Sequence, residues 1–486
     1  MPEHRYLSII TIFTCAIIAA AMLYGYQFMQ ADDAHIFYSY AKNLANGNGY
    51  VFNPDERVNA TTSPLYTLLL ALFFYISRSI PGITIPLIGQ VIGAVSLIGM
   101  CWFLMLSFKS ERSSLFPFLV PLILLTSPLL PQAVGMEMYL AMTLGIISLF
   151  YYSQHRLRSA ALIVSLAVLA RPDMLLLAIV LAVYDVVRYR RFPTLGMLAL
   201  FIVPIATWLV FSGFYFGSLL PSTFEAKLIQ PKIGLWGPGP VFIIGLTSGN
   251  AWFGGSTIAQ IAVVILSLGV VVAIMRWKQW SLFQHPVFQI ILFWNTLYLI
   301  VYGFILQAPA YEWYYAPLAL SLTLIIALPI VEVYNRLIQL RVPHKLLIPL
   351  IYTTLIAVGF MFPVIGMKQP KSAPEENYRN AAEWLNNNAD LGSSVGTNCI
   401  GVLRFHYEKG TVIDGAGLVT PEVIEHLRSR DFAWYVHYYR PDYLLFQDPA
   451  MPGVEDMVYE EWFKERYEFR KSFRTRWHGA ALYQRL

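Results

Sequence analysis

Charge is what this chain has least of. Only 13% of its 486 residues are Asp, Glu, Lys or Arg, where a soluble globular domain carries about a quarter. With 57% hydrophobic and 15% aromatic residues, that scarcity excludes a soluble globular protein and gives a polytopic membrane protein. Cysteine is also rare. Cys15 and Cys101 fall in apolar segments and Cys399 stands alone in a polar region, so no disulfide framework can be built and the redox compartment is not readable. There is no His/Cys cluster with transition-metal spacing. Gly47-Asn-Gly49 lacks the third glycine and the strand–helix setting of a nucleotide-binding loop. No internal repeat or low-complexity tract is evident. The net charge of +5 is no argument for nucleic acid, because basic residues of membrane proteins gather in cytoplasmic loops.

The charge that exists is unevenly placed. Of 34 basic and 29 acidic residues, 32 lie between Lys368 and Leu486. The chain therefore divides into a membrane module, 1–367, and a soluble domain, 368–486. The first apolar run, Tyr6–Met29, is 24 residues long. That exceeds a signal-peptide core of roughly 7–15 residues and matches the ~20 residues of a spanning helix, so it reads as an uncleaved first helix.

Further apolar segments cover 64–77, 84–106, 115–134, 137–152, 158–172, 173–187, 195–216, 257–275, 286–306, 313–332 and 345–366, giving about 11 crossings. Placing the basic residues from Arg156 onward in the cytoplasm makes the segments alternate. The opposite face then carries the loop 30–63, Gly135-Met-Glu137, Arg171-Pro-Asp173, the stretch 220–227, the aromatic stretch 311–315 and the soluble domain. An even number of crossings is required between Asp33 and Glu137, yet three apolar segments lie there. Segment 115–134 holds Pro117, Pro121, Pro128 and Pro131 and is expected to be re-entrant or kinked, which needs a buried or cavity-lining position. Segments 158–172 and 173–187 read as a hairpin of half-helices tipped by Arg171-Pro-Asp173.

The soluble end reads as a small α/β domain. Helices are expected at 377–388 and 421–428, and strands at 394–397, 411–414, 442–446, 467–473 and 479–484.

Asp32 and Asp33 stand where the first apolar run ends. Asp is a preferred N-cap, so one of them could simply cap the helix starting at Ala34. Beside apolar walls, a carboxylate can also accept the proton of a substrate hydroxyl, and the two roles can be divided between the pair. The residues that follow form five motifs in order: Asp32-Asp33-Ala34, Tyr40-Ala-Lys-Asn-Leu44, Gly47-Asn-Gly49, Asn53-Pro-Asp-Glu-Arg-Val58 and Thr62-Ser-Pro-Leu65. Together they resemble the first extracytoplasmic loop of polyprenyl-phosphate-sugar-dependent glycosyltransferases of the GT-C fold, in particular the terminal arabinofuranosyltransferase-like enzymes of bacterial envelopes. Gly135-Met-Glu137, Arg171-Pro-Asp173, Pro221-Ser-Thr-Phe-Glu-Ala-Lys227 and Val412-Ile-Asp-Gly-Ala-Gly-Leu418 are similar to further motifs of that family. Met136, Met138, Asp173 and Ser222 depart from its pattern.

The resemblance implies an inverting transferase in the bacterial inner membrane, with its soluble domain outside the cytoplasm. A sugar would move from a polyprenyl phosphate to an envelope glycan or lipid acceptor. Asp33 or Asp32 would be the base. Arg171, Lys227 and Arg57 are the candidates for holding the leaving phosphate, since Arg binds phosphate bidentately and Lys as a point charge; each could equally be an interfacial anchor. Glu137 and Asp173 could position the acceptor or a cation, or pair with Arg171. No cofactor is demanded, although carboxylates could hold a hard divalent ion. The rival reading is a transporter or flippase for a lipid-linked sugar, which would also place charges inside the bundle; the paired halves common in transporters are not seen.

Overall fold

The computed structural model describes residues 2–28, 30–109, 115–235, 239–248, 255–276, 278–368, 373–475 and 479–486. Among them, six helices are long and apolar enough to cross a membrane: Arg5–Gly25, Ile85–Ser107, Leu195–Phe216, Pro286–Ile305, Leu318–Gln339 and His344–Lys368. Five shorter apolar helices accompany them, at Pro64–Ser77, Phe116–Leu125, Met138–Ser153, Leu157–Ala170 and Val263–Arg276. The chain forms two compact units. One contains 1–27, 90–206 and 239–369, the other 28–89, 207–238 and 370–486.

In the first unit, helix Pro2–Gly25 packs along helix His344–Lys368. A Cβ added at Gly25 would stand 2.6 Å from the carbonyl oxygen of Pro363, so only glycine permits this approach. Small residues at such contacts are how apolar helices associate where no hydrophobic force separates protein from lipid. Tyr26 Oη donates to Phe362 O at 2.9 Å, and Thr11 Oγ1 and Tyr352 Oη share a hydrogen bond of 2.7 Å.

The proline-rich stretch 115–134 is helical only over Phe116–Leu125, all ten residues buried, followed by a 3-10 turn at Pro131–Ala133. At ~1.5 Å per residue this helix is far too short to span. The hairpin forms as helix Leu157–Ala170, a 3-10 turn at Pro172–Met174 and helix Leu175–Tyr189. The extended Arg171 (φ −156°, ψ 126°) breaks the helix ahead of Pro172, as a residue before proline must.

The second unit contains a five-stranded sheet: β1 Ser394–Thr397, β2 Thr411–Asp414, β3 Tyr443–Asp448, β4 Tyr467–Arg474 and β5 Gly479–Arg485. The strand order is β2-β1-β3-β5-β4, parallel across β2, β1 and β3 and antiparallel thereafter. Helix Ala373–Asn388 covers the sheet with Tyr378, Ala381, Ala382 and Leu385. The helix expected at 421–428 begins later, at Val423, because Thr420 Oγ1 instead accepts from Asp414 N. Three six-residue helices, Gly401–His406, Trp434–Tyr439 and Glu461–Arg466, are additional.

This unit also holds the first loop. Helix Asp32–Ala45 is buried on nearly all sides and packs on helices Pro64–Ser77 and Gly401–His406. Asn43 Nδ2 donates to Val51 O and Phe52 O at 2.9 and 2.8 Å. Asn53 lies against edge strand β2 like an extra residue of sheet: Oδ1 accepts from Val412 N at 3.0 Å and Nδ2 donates to Val412 O at 2.9 Å. Covering an edge in this way removes a pairing template.

Candidate active site

The two aspartates have different surroundings. The reading that one of them caps its own helix is corrected: the helix starts at Asp32 itself, after Ala31, with no side-chain cap. Asp32 caps a different helix. Its Oδ2 accepts from Gly401 N at 2.9 Å and its Oδ1 from Val402 N at 2.8 Å, at the start of Gly401–His406. A Cβ at Gly401 would stand 2.0 Å from Asp32 O, so the approach needs glycine. Burial pushes the Asp32 carboxyl above its ordinary value; the Val402 and Gly401 N–H groups oppose the rise, Asp33 adds to it, and the Cys399 thiol again opposes it. The thiol in turn is pushed well up by burial and by Asp32, so it stays protonated.

Asp33 is engaged differently. Its Oδ2 receives Lys227 Nζ at 2.8 Å, both side chains retaining about a fifth of their exposure (19% and 22%). Lys227 lies on helix Ser222–Lys232, which contains most of the motif 221–227. That helix is tied to the loop after β2. Ser222 Oγ donates to Leu418 O at 2.5 Å and Asn59 O at 3.1 Å, and Thr223 Oγ1 donates to Ala60 O at 2.6 Å and Leu418 O at 3.3 Å. Asp414, fully buried, accepts from the backbone N–H groups of Ala416, Leu418 and Val419 and so shapes the loop. Burial nevertheless pushes its carboxyl up to about 6. Arg57 is exposed, with its guanidinium 4.7 Å from the Tyr215 ring centroid.

The second cluster lies in the other unit. Arg171 is 7% exposed and Glu137 2%. All three guanidinium nitrogens donate to protein oxygens: Nη1 to Glu137 Oε1 at 2.5 Å, Nε to both Asp173 oxygens at 3.1 Å, and Nη2 to Asp173 Oδ2 at 2.6 Å. Tyr302 Oη donates to Asp173 Oδ2 at 2.7 Å, and the Tyr314 ring lies 5.7 Å from the guanidinium carbon. Among the described residues, Glu137 Oε2 is buried without a hydrogen-bond partner. Glu137 and Asp173 both pair with Arg171, whose guanidinium lies between the two carboxylates. The donors that the sequence reading gave to a phosphate are, in Arg171, committed to this network.

The sequence reading missed Cys399, Gly401, Asn53 as a clasp on β2, and the Ser222–Leu418 tie. Only long-range contacts reveal them. Among the described residues, no three His, Cys, Asp or Glu side chains gather as a metal site.

Residues 369–484 match a family described as Domain of unknown function (DUF8728). Over 260 residues the chain is 28% identical to the terminal beta-(1->2)-arabinofuranosyltransferase of Mycobacterium tuberculosis (strain ATCC 25618 / H37Rv), covering 47% of this chain and 40% of that one. The match therefore spans less than half of that relative. In three dimensions the chain is similar to ArnT from Cupriavidus metallidurans, crystallised with undecaprenyl phosphate, with a TM-score of 0.60 at 11% identity over 97% of both chains. It is also similar to the Archaeoglobus fulgidus oligosaccharyltransferase, with a TM-score of 0.55 at 11% identity over 94% of this chain and 73% of that one. The fold is GT-C. The multi-pass membrane architecture expected from the sequence is the architecture of that fold, and the small C-terminal sheet domain is appended to it.

Proposed function

We propose that this GT-C chain is an inverting glycosyltransferase that uses a polyprenyl-phosphate sugar. Its acceptor is an envelope glycan or lipid on the extracytoplasmic face of a bacterial inner membrane. The observation that carries the reading is the Asp33–Lys227 pair at 2.8 Å. It sets a proton acceptor beside a cation, on a fold whose relative ArnT was crystallised with undecaprenyl phosphate.

The chemistry follows from those two groups. The donor carries its own leaving group. A carboxylate of reference pKa ~3.9 does not deprotonate an alcohol in advance. It takes the proton as the new bond forms. The acceptor oxygen attacks the anomeric carbon, its proton passes to Asp33, the carbon–oxygen bond to phosphate breaks, and polyprenyl phosphate leaves. One displacement inverts the anomeric configuration. Lys227 stabilises the charge on the departing phosphate as a point charge, and in turning toward it releases the Asp33 carboxylate. Asp32, with both oxygens given to backbone N–H groups, positions rather than reacts. Arg57 is the second cation available to the phosphate. Arg171 keeps the turn at 171–174 in shape.

The test is a transfer assay on the full chain in nanodiscs. A panel of polyprenyl-phosphate sugars is offered with envelope glycan and lipid acceptors, beside Asp33→Asn and Asp32→Asn. Product from the native chain, lost in Asp33→Asn while the fold persists, supports the reading. Equal turnover by Asp33→Asn sinks the base assignment. Vectorial movement of a lipid-linked sugar without any transfer product would replace the transferase by a flippase.

A further inference from the structure

A second site lies in the first unit, and its case does not rest on the proposed activity. Helices Leu157–Ala170, Leu175–Tyr189 and the start of Leu195–Phe216 leave a groove of about 240 Å³ between them. Its lining, with Ala161, Val164, Ala178 and Phe201, is apolar except for Tyr152 and Asp185. A cup of about 380 Å³ adjoins it, sharing Leu157 and Met197, and this cup is polar: His155, Arg156, Arg158, Ser159 and Thr194 line it.

The charge at this end is one-sided. Arg156, Arg158, Arg188 and Arg190 are exposed, and Arg191 is half-exposed. The single carboxylate facing them, Asp185, is already taken, by Arg191 Nη2 at 2.6 Å and by Tyr152 Oη at 2.9 Å. Arg191 Nε is buried with no hydrogen-bond partner among the described residues. Arg158 lies against the first turn of the 22-residue helix Leu195–Phe216, where a Cβ on Gly196 would stand 3.6 Å from its Nε. A helix N-terminus adds to the preference for an anion. An apolar slot between apolar helices that opens into an arginine-rich cup has the two-part chemistry of an anionic phospholipid.

We propose that the cup and groove together hold one anionic glycerophospholipid, its phosphate on Arg156 and Arg158 and an acyl chain in the groove. Charge asymmetry assigns this end to the cytoplasmic leaflet.

Native mass spectrometry of the full chain released from detergent tests this, with phosphatidylglycerol, phosphatidylcholine and inorganic phosphate added in separate arms. The native chain is expected to retain one phosphatidylglycerol with roughly tenfold preference over phosphatidylcholine, the order expected for one to two basic contacts. Arg156→Gln combined with Arg158→Gln, both exposed and so compatible with folding, is expected to erase that preference. Ala161→Phe, which fills the groove, is expected to weaken both lipids. Equal retention of the two lipids by the native chain would mean annular lipid only. Preference surviving in the double variant, or inorganic phosphate binding as well as the lipid, would equally overturn the proposal.

Discussion

Asp32 caps a helix that begins 369 residues further along the chain, its Oδ2 accepting from Gly401 N at 2.9 Å. Its neighbour Asp33 turns instead to Lys227. Two adjacent carboxylates of identical chemistry are thus given different work by what faces them.

The division predicts separable losses. Asp33→Asn should cut transfer by ~10²–10⁴-fold, the usual worth of a general base, with the thermal midpoint little changed. Asp32→Ala should cost about 0.5–2 kcal/mol, as loss of a helix cap does, and lower the midpoint as well as the rate. Turnover and thermal unfolding measured on both variants decide it; equal destabilisation would remove the distinction.

Arg171 sits between two buried carboxylates, Glu137 and Asp173. Removing the cation leaves both charges uncompensated, which for buried pairs costs about 3–5 kcal/mol. Arg171→Ala should therefore lower the thermal midpoint far more than Arg57→Ala, whose guanidinium is exposed on Tyr215. Equal midpoints would mean the network adds nothing to the fold.

Lys227 inherits its position from the tie between its helix and the 414–419 loop. Ser222→Ala removes a hydroxyl that bonds two carbonyls, a loss of about 1 kcal/mol. Turnover should fall several-fold, and Ser222→Thr should restore most of it. If donor KM, kcat and the midpoint are all unmoved in Ser222→Ala, the tie does not position Lys227.

Asp414 makes stability depend on pH. Burial raises its carboxyl from 3.8 to about 6, so the folded chain holds this proton more tightly than the unfolded one. The contribution is full below pH ~4, where both states are protonated, and falls away as pH rises through 6. The raised value corresponds to roughly 3 kcal/mol. Thermal midpoints from pH 4 to 7 should decline in the native chain, and Asp414→Asn should flatten that part of the decline. A native profile that rises over the window would contradict the assignment.

Much of this fold was legible because its signals are local. Apolar runs gave helices such as 64–77 and 195–216 with the boundaries observed, and short runs bounded by Gly and Pro gave the buried strands β1 and β2. Helix Ser222–Lys232 was not legible, since Pro231 and a polar sequence give it no apolar stripe. The six-residue helices carry too few turns to show a period. The site was half legible. Carboxylates and cations at the ends of apolar runs stand out in any reading. What separates Asp32 from Asp33 is a partner hundreds of residues away, and no spacing rule reports that; the pairing of Arg171 with Glu137 and Asp173 was among the alternatives the motifs offered.

The clasp of Asn53 on Val412 has an evolutionary corollary. A loop whose asparagine completes the edge of a sheet cannot drift independently of that sheet. Exchange of residues 370–486 for another domain would strip the first loop of its clasp and Asp32 of the helix it caps. Substitutions at the β2 edge should therefore be matched by substitutions in the loop, although almost the entire membrane module separates the two in the gene.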